Sequence, residues 1–491
     1  MLRTLVACFV LVVAVSSPAC AQVRLPKIFT NHMVLQQELP IAVWGWASPA
    51  EVVRVQVAGR SVETRAGADG RWRVDLPAMK ADGKQHTLEV SGKTTVRRSN
   101  VVLGEVWLCA GQSNMNREAR VREPDPDIRL FWIDGSVTPR RDDLGDQVAG
   151  WVPSTPGDVA AAAPTLRRGK PVKRTGFAEV GYVFGRRVHR ELGVPVGLIK
   201  CAFGGSQVQA WTPDPTLPER VAYGTKAEGG YLGHRSGLLY RSMVHGMVPL
   251  TIRGVLWYQG ENDGRSKVYD QHLETWITSW RTLWKRPQLP FYMVQIAPTS
   301  YAGGRMQYIW EAQTRVMHRV AHTAVAVSND IYLHGKRPES EVIDAAGRLT
   351  MSPSNPHPPN KHIVGERLAN IALVDTYGKN ARVLYGPMLA SHEIRGDALV
   401  VKMRYCGEGL KTRHGKAPNW FELSDGTVEK RRLVFRPATA KIVGPDRIEV
   451  RSAEIAHPKF VRFAWHCTAI HNLQNSAGLP AVSFRTDTAD R

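Results

Sequence analysis

Between about residues 101 and 377, five short apolar runs alternate with stretches of helical periodicity, a pattern best met by a parallel, doubly wound α/β sheet. The runs 101–109, 196–203, 252–258, 291–297 and 323–328 read as buried strands, and 178–192, 267–284, 307–321 and 360–375 as helices. The second helix is the clearest, with Leu273, Trp276, Ile277, Trp280, Leu283 and Trp284 returning at helical spacing. On either side the period drops to two. Ile41–Trp46 and Val52–Val57 alternate between Gly, Pro and Asp-Gly turns and predict a small β-sandwich over 22–100. Runs such as Ala398–Met403 predict a second β domain over 378–491, so the catalytic-looking α/β unit, 101–377, is flanked by β domains.

The first 21 residues read as an export signal. Arg3 precedes an apolar run from Leu5 to Val15, and Ala19-Cys20-Ala21 offers small residues for cleavage before Gln22. The run is short for a bilayer span, and no later run of the required length follows. Cys20 raises lipoprotein anchoring as an alternative, but Ser17 stands where a lipobox prefers Leu. A periplasmic or extracellular destination follows, and it permits disulfides. Cys406 and Cys467 are the candidate pair, whereas Cys109 and Cys201 end apolar runs and read as buried thiols.

Lys and Arg outnumber Asp and Glu by 65 to 44, a net charge of +21, which favours anionic partners such as acidic glycans. The basic residues are scattered, with no Lys/Arg block and no nucleic-acid motif, so nucleic acid is not an expected partner. No His-Glu-X-X-His or paired-Cys spacing occurs, so no metal site is expected, and no phosphate-cradling Gly-rich loop is present.

Ligands of open parallel sheets bind beyond the carboxyl ends of the strands. Three polar motifs stand there: Gly111-Gln112-Ser113-Asn114, Gly204-Gly205-Ser206 and Gln259-Gly260-Glu261-Asn262. A fourth, Asn355-Pro356-His357-Pro358, precedes the helix that begins near Asn360. These residue types suit acyl transfer. A Ser in a tight Gly turn can present its hydroxyl as a nucleophile, and His357 can take and return its proton. Backbone N–H groups of Ser113 and Gly205, with the Asn262 amide, can converge on an oxyanion; loss of one such donor typically costs about 10²–10³ in rate.

The order Ser, Gly, Asn, His resembles that of the SGNH hydrolases, and the surrounding words resemble the sialate O-acetylesterase family. Those words are Met33-Val34-Leu35-Gln36, Gly104-Glu105-Val106-Trp107-Leu108-Cys109, Gly111-Gln112-Ser113-Asn114-Met115, Trp257-Tyr258-Gln259-Gly260-Glu261-Asn262, His357-Pro358-Pro359-Asn360-Lys361 and Asn472-Leu473-Gln474-Asn475. The resemblance runs from about residue 25 to 486. It implies a flavodoxin-like SGNH hydrolase domain between β-sandwiches, with Ser113 as nucleophile, Gly205 and Asn262 in the oxyanion hole, and His357 as base. It likewise implies neither a metal nor an organic cofactor.

The chain departs from that pattern at one point. The family places an Asp two or three residues before the His; here the positions hold Ser354 and Asn355. Asn355 can hold the imidazole by hydrogen bonding without supplying charge, and Asp330 or Asp344 are candidate substitutes, with Glu339 and Glu341 in the same stretch. Gln112, Gln259, Glu261 and Trp211 are candidates for lining the substrate pocket; Glu261 reads more readily as half of a structural ion pair, and Trp211 equally as a core side chain. The segment Pro213–Gly237, rich in Gly and Pro, reads as a rim or lid. The expectation is an exported carbohydrate O-acetylesterase of the sialate type. An acetylxylan-type esterase and a carbohydrate-binding protein with weakened turnover are the alternatives.

Overall fold

The computed structural model describes residues 22–133, 144, 150–162, 165–167, 170–214, 232–303, 305–333, 341–343, 349–351, 355–380 and 383–488. The export signal, most of the expected lid, Ser354, Glu339 and Asp344 lie outside the described residues, as do the surroundings of the Glu341 side chain. Among the described residues no helix is long and apolar enough to cross a membrane.

A mixed sheet forms the centre, in the order Val152–Ser154, Asp125–Ile133, Val196–Ala202, Thr95–Gly111, Gly254–Tyr258, Phe291–Val294, Thr323–Ala326. Every pairing along it is parallel except that of Val152–Ser154 with Asp125–Ile133. All five expected strands are present. Asp125–Ile133 is a sixth that the sequence hid, because its Asp-Pro-Asp start reads as a turn although Ile128–Ile133 is wholly buried. The helices Glu179–Leu192 and His362–Asp375 pack together, as do Tyr269–Leu283 and Met306–Arg319.

The chain crosses the sheet in opposite directions from its middle strand: residues 125–202 build one side and 254–326 the other. The middle strand and its two neighbours therefore end side by side. They carry Ser113, Gly205 and Asn262, and a switch in strand order of this kind leaves the crevice in which α/β proteins bind ligands.

That middle strand is 17 residues long. Its first part pairs with His86–Ser91 in the amino-terminal β region, and its last part lies between Val196–Ala202 and Gly254–Tyr258. It runs straight through the boundary expected at residue 100. The hydrophobic core follows it: buried side chains from Val23 to Ala372 form one continuous cluster. The carboxy-terminal β region has its own core, built on an antiparallel sheet that includes Ala398–Arg404, Arg447–Arg451, Phe421–Ser424 and Phe460–Phe463. A fork from Arg485 to both Glu311 oxygens, each at 3.2 Å, ties its end to the α/β unit.

Two expectations about cysteine meet different outcomes. Cys109 and Cys201 are buried free thiols, pushed far up by desolvation. Cys406 and Cys467 are also free rather than bridged, because Cys467 packs into the core of the α/β unit and Cys406 into that of the carboxy-terminal sheet.

One buried carboxylate joins the parts. Glu105, with no solvent exposure, accepts from Arg253 Nε at 2.7 Å and Nη2 at 2.8 Å, from Gln37 at 2.9 Å, Gln36 at 3.1 Å and Tyr377 Oη at 2.8 Å. Breaking such a cluster leaves a buried cation uncompensated, which typically costs about 3–5 kcal/mol. Glu105→Ala is expected to lose that much in urea unfolding; a loss below about 1 kcal/mol, the range of exposed pairs, would show that the cluster is incidental.

Candidate active site

Ser113 opens a four-residue helical turn, Ser113–Asn116, directly after the middle strand. The strand can end so abruptly because Gly111 takes φ +139° and a Cβ there would stand 2.3 Å from the Tyr258 carbonyl oxygen. Gln112 N–H then donates to that same carbonyl at 3.0 Å, locking the Ser113 turn to the neighbouring strand. On the other side a Cβ on Gly204 would stand 3.6 Å from the Ser113 Cβ, and Gly205 turns with φ +68°.

His357 arrives from the segment before helix His362–Asp375. Its Nε2 lies 2.7 Å from Ser113 Oγ. Its Nδ1 lies 2.9 Å from Asn355 Oδ1, which also accepts the His357 backbone N–H at 3.0 Å. The backbone N–H can only donate, so it fixes the Asn355 amide with its oxygen towards the ring. Nδ1 must then carry the proton, which leaves Nε2 as the acceptor for the serine hydroxyl. Partial burial, followed by the positive charges of Lys361 and Arg117, holds the His357 imidazole below the usual histidine range. Burial is the largest of these causes.

Asp330 does not reach the ring as a free carboxylate. Both its oxygens are held by Arg367 at 2.7 Å, and the pair is buried. Asn355 fills the orienting position instead.

Asn262 lies beside the site, with its amide committed. Nδ2 donates to the Gly205 carbonyl at 2.6 Å and makes a close contact with His234 Nε2. Gln207 Nε2 donates to the Asn262 carbonyl at 3.3 Å, so the Gly205 and Asn262 loops hold each other in place.

The four residues expected to line the pocket are buried and do other work. Trp211 is fully buried, its Nε1 donating to Ser206 Oγ at 2.9 Å and its ring meeting Trp257 edge-on, so the core reading holds. Gln259 is fully buried and bridges the Ser206 carbonyl at 2.9 Å and Asp263 at 2.5 Å. Gln112 donates to Glu261 Oε2 at 2.6 Å, and Asn114 donates to Glu261 Oε1. Asn114 also donates to the Pro356 carbonyl at 2.9 Å and accepts from Lys361 Nζ at 2.5 Å. Lys361 is itself fully buried, its ammonium 5.2 Å from the centre of the Tyr258 ring.

Glu261, Asn114, Gln112 and Lys361 thus join the loops that carry Asn262, Ser113 and His357. Burial raises the Glu261 carboxyl and pushes the Lys361 ammonium down to about 7, while their mutual attraction favours the charged pair. Lys361, Asn114 and Arg117 were not singled out by role from the sequence. The available signals were the spacing of Lys361, four residues after His357, and of Arg117, one turn after Ser113. Among the described residues no group of three or more His, Cys, Asp or Glu gathers as a metal site.

A family model described as carbohydrate esterase, sialic acid-specific acetylesterase, matches residues 103–340. The sialate O-acetylesterases of Pongo abelii and Homo sapiens are each 25% identical to the chain over 94% of its length and 93% of theirs. A carbohydrate acetylesterase from Xanthomonas citri superposes with a TM-score of 0.78 at 29% identity, over 95% of this chain and all of that one. The chain thus carries a sialic acid-specific acetylesterase domain over residues 103–340 and is similar to sialate O-acetylesterases over most of its length. As a sialate O-acetylesterase relative it is a carboxylic ester hydrolase. The family match contains Ser113, Gly205 and Asn262, and His357 lies 17 residues beyond its end.

The electrostatics of the site can be read without turnover. The His357 ring is expected to titrate below the usual histidine value in an NMR pH series. Lys361→Met should move its midpoint upward, because a cation opposing the imidazolium is removed while the Glu261 carboxylate remains. An unchanged midpoint in a folded variant would refute the coupling.

Proposed function

We propose that the chain is an exported carbohydrate O-acetylesterase in which Ser113 is the nucleophile and His357 the general base. The observation that carries this reading is the 2.7 Å contact between His357 Nε2 and Ser113 Oγ, with the other ring nitrogen on Asn355. Ser113 Oγ attacks the acetyl carbonyl as Nε2 takes its proton. The tetrahedral intermediate collapses to an acetyl-serine, and His357 returns the proton to the departing sugar hydroxyl. Water, deprotonated by the same ring, then releases acetate.

The N–H groups of Ser113 and Gly205 and the Asn262 amide are the proposed oxyanion donors. For Asn262 to serve, the substrate oxygen takes the hydrogen now directed at His234. Asn355 supplies the tautomer that an Asp would supply, but not its charge. In a serine-protease template an Asp-to-Asn change costs about 10⁴ in turnover because the wrong tautomer forms. The backbone N–H that orients Asn355 removes that part of the penalty. What remains is a less stabilised imidazolium in the transition state.

A sialic acid carries a carboxylate, and Arg117 places a half-exposed guanidinium near enough to His357 to act on its charge. That cation and the net charge of +21 support an anionic sugar over neutral xylan. The proposed arrangement of the chain is an SGNH hydrolase unit over 101–377 between β-sandwich domains over 22–100 and 378–491, after removal of residues 1–21.

The decisive experiment measures acetate release from an O-acetylated sialic acid, acetylxylan and p-nitrophenyl acetate. Ser113→Ala and His357→Ala should each lose about 10³-fold or more in kcat, and full activity in either would end the mechanism. The pH dependence of kcat/KM should rise through a midpoint below the usual histidine value, since only the neutral ring accepts the proton. Asn355→Asp should raise kcat and move that midpoint upward; a slower enzyme would place the orienting group elsewhere. Arg117→Ala should raise KM for the acidic sugar, while for p-nitrophenyl acetate it should only move the pH midpoint upward and leave the high-pH rate unchanged.

A further inference from the structure

A cavity of about 590 Å³ lies between the amino-terminal β region and the α/β unit, at the end of the central sheet away from Ser113. Its position follows from the connectivity. Val248 and Pro249 line it just before the strand Gly254–Tyr258 begins, and Leu283 lines it just before Phe291–Val294. Ser113, Gly205 and Asn262 all follow the opposite, carboxyl ends of their strands.

The opposing wall is the antiparallel two-stranded sheet of Ile41–Trp46 with Arg71–Leu76. In its register Trp44 faces Arg73 and Trp46 faces Arg71. Side chains alternate along strands, so these four share one face while Gly45 and Trp72 share the other. Trp44 and Trp46 are half-buried, the Arg24 guanidinium lying 3.9 Å over one face of the Trp46 ring, and Arg71 and Arg73 are exposed. Tyr240 and His245 complete the lining, joined by a 3.3 Å hydrogen bond.

The charge of this wall is unbalanced. Arg73 is forked onto Asp75, and Arg71 lies 3.5 Å from Asp69. Arg65, which also lines the cavity, donates to the Ala50 carbonyl at 2.7 Å, and no carboxylate is paired with it among the described residues. Trp72, though on the other face of its strand, also reaches the lining, and its buried indole N–H has no hydrogen-bond partner among the described residues. Indole faces cover the C–H faces of sugar rings, and a spare guanidinium recognises a carboxylate. The volume falls within the roughly 300–1,000 Å³ common for small-ligand sites.

We propose that this cavity is a second saccharide site, which holds a carboxylate-bearing sugar through Trp44, Trp46 and Arg65. The choice of a saccharide rests on the acetylesterase reading, whereas the site needs no group of the Ser113–His357 pair. It would hold an acidic glycan while another stretch of the same glycan, or another chain, reaches Ser113.

The test is isothermal titration calorimetry on full-length protein carrying Ser113→Ala. The probes are sialyllactose and trigalacturonic acid, with lactose as the neutral control; none carries an O-acetyl ester. Binding of the acidic sugars that weakens about tenfold in Trp46→Ala and in Arg65→Ala, but persists in Arg117→Ala, is the expected result. Because Arg65 is exposed, Arg65→Glu offers a charge reversal that leaves packing intact. Wild-type affinity in both cavity variants, equal binding of lactose, or no binding at all would overturn the proposal. Acetate release by the otherwise wild-type Trp46→Ala and Arg65→Ala proteins is measured in parallel. Its absence from wild type as well would count against the acetylesterase reading and leave the binding result to be judged alone.

Discussion

A carboxylate that water cannot reach holds this active site together. Glu261 is buried at the end of one strand, and its oxygens are filled by Gln112 and Asn114 from the next. Asn114 passes the connection on to Lys361 and to the Pro356 carbonyl, beside His357. A buried ion pair is poor evidence of stability, because desolvation offsets much of the attraction. It is nevertheless intolerant of displacement: a small shift of any one loop strands a charge. The three loops are therefore held to one relative position, and the 2.7 Å approach of His357 to Ser113 is a consequence of that position.

The same cluster explains an asymmetry in how the site reaches solvent. The residues adjacent to the reacting pair, Gln112, Asn114 and Lys361, are buried, while His357 is exposed and Ser113 half-buried. Arg117 and His234 stand exposed beside the pair.

Much of this was legible in the sequence. Apolar runs mark the parallel strands because both faces of such strands are buried, and the polar words after them supply the residues that meet at the candidate site. Asp125–Ile133 escaped because turn residues occupy its first positions. Trp211 and Gln259 were open to misreading because sequence places a residue after a strand but does not say which way it points. The roles of Lys361 and Asn114 depend on a meeting of residues 247 positions apart, which no local pattern encodes. Asp330 looked available until its partner, Arg367, was brought to it by the packing of helix His362–Asp375. Cys406 and Cys467 share a stretch of chain but not a core.

The continuity of the strand Thr95–Gly111 limits how this protein can be taken apart. In a modular chain, an accessory region is joined by a linker and can be deleted or exchanged. Here the join is a single extended backbone, hydrogen-bonded to the amino-terminal sheet at one end and presenting Ser113 just past the other. A truncation that starts the chain near residue 101 exposes the apolar underside of the central sheet and leaves the middle strand without half of its partners. Fusions, tags and exchanges are better tolerated at the carboxy-terminal sheet, which has a core of its own, than at the amino-terminal one, which has none to spare.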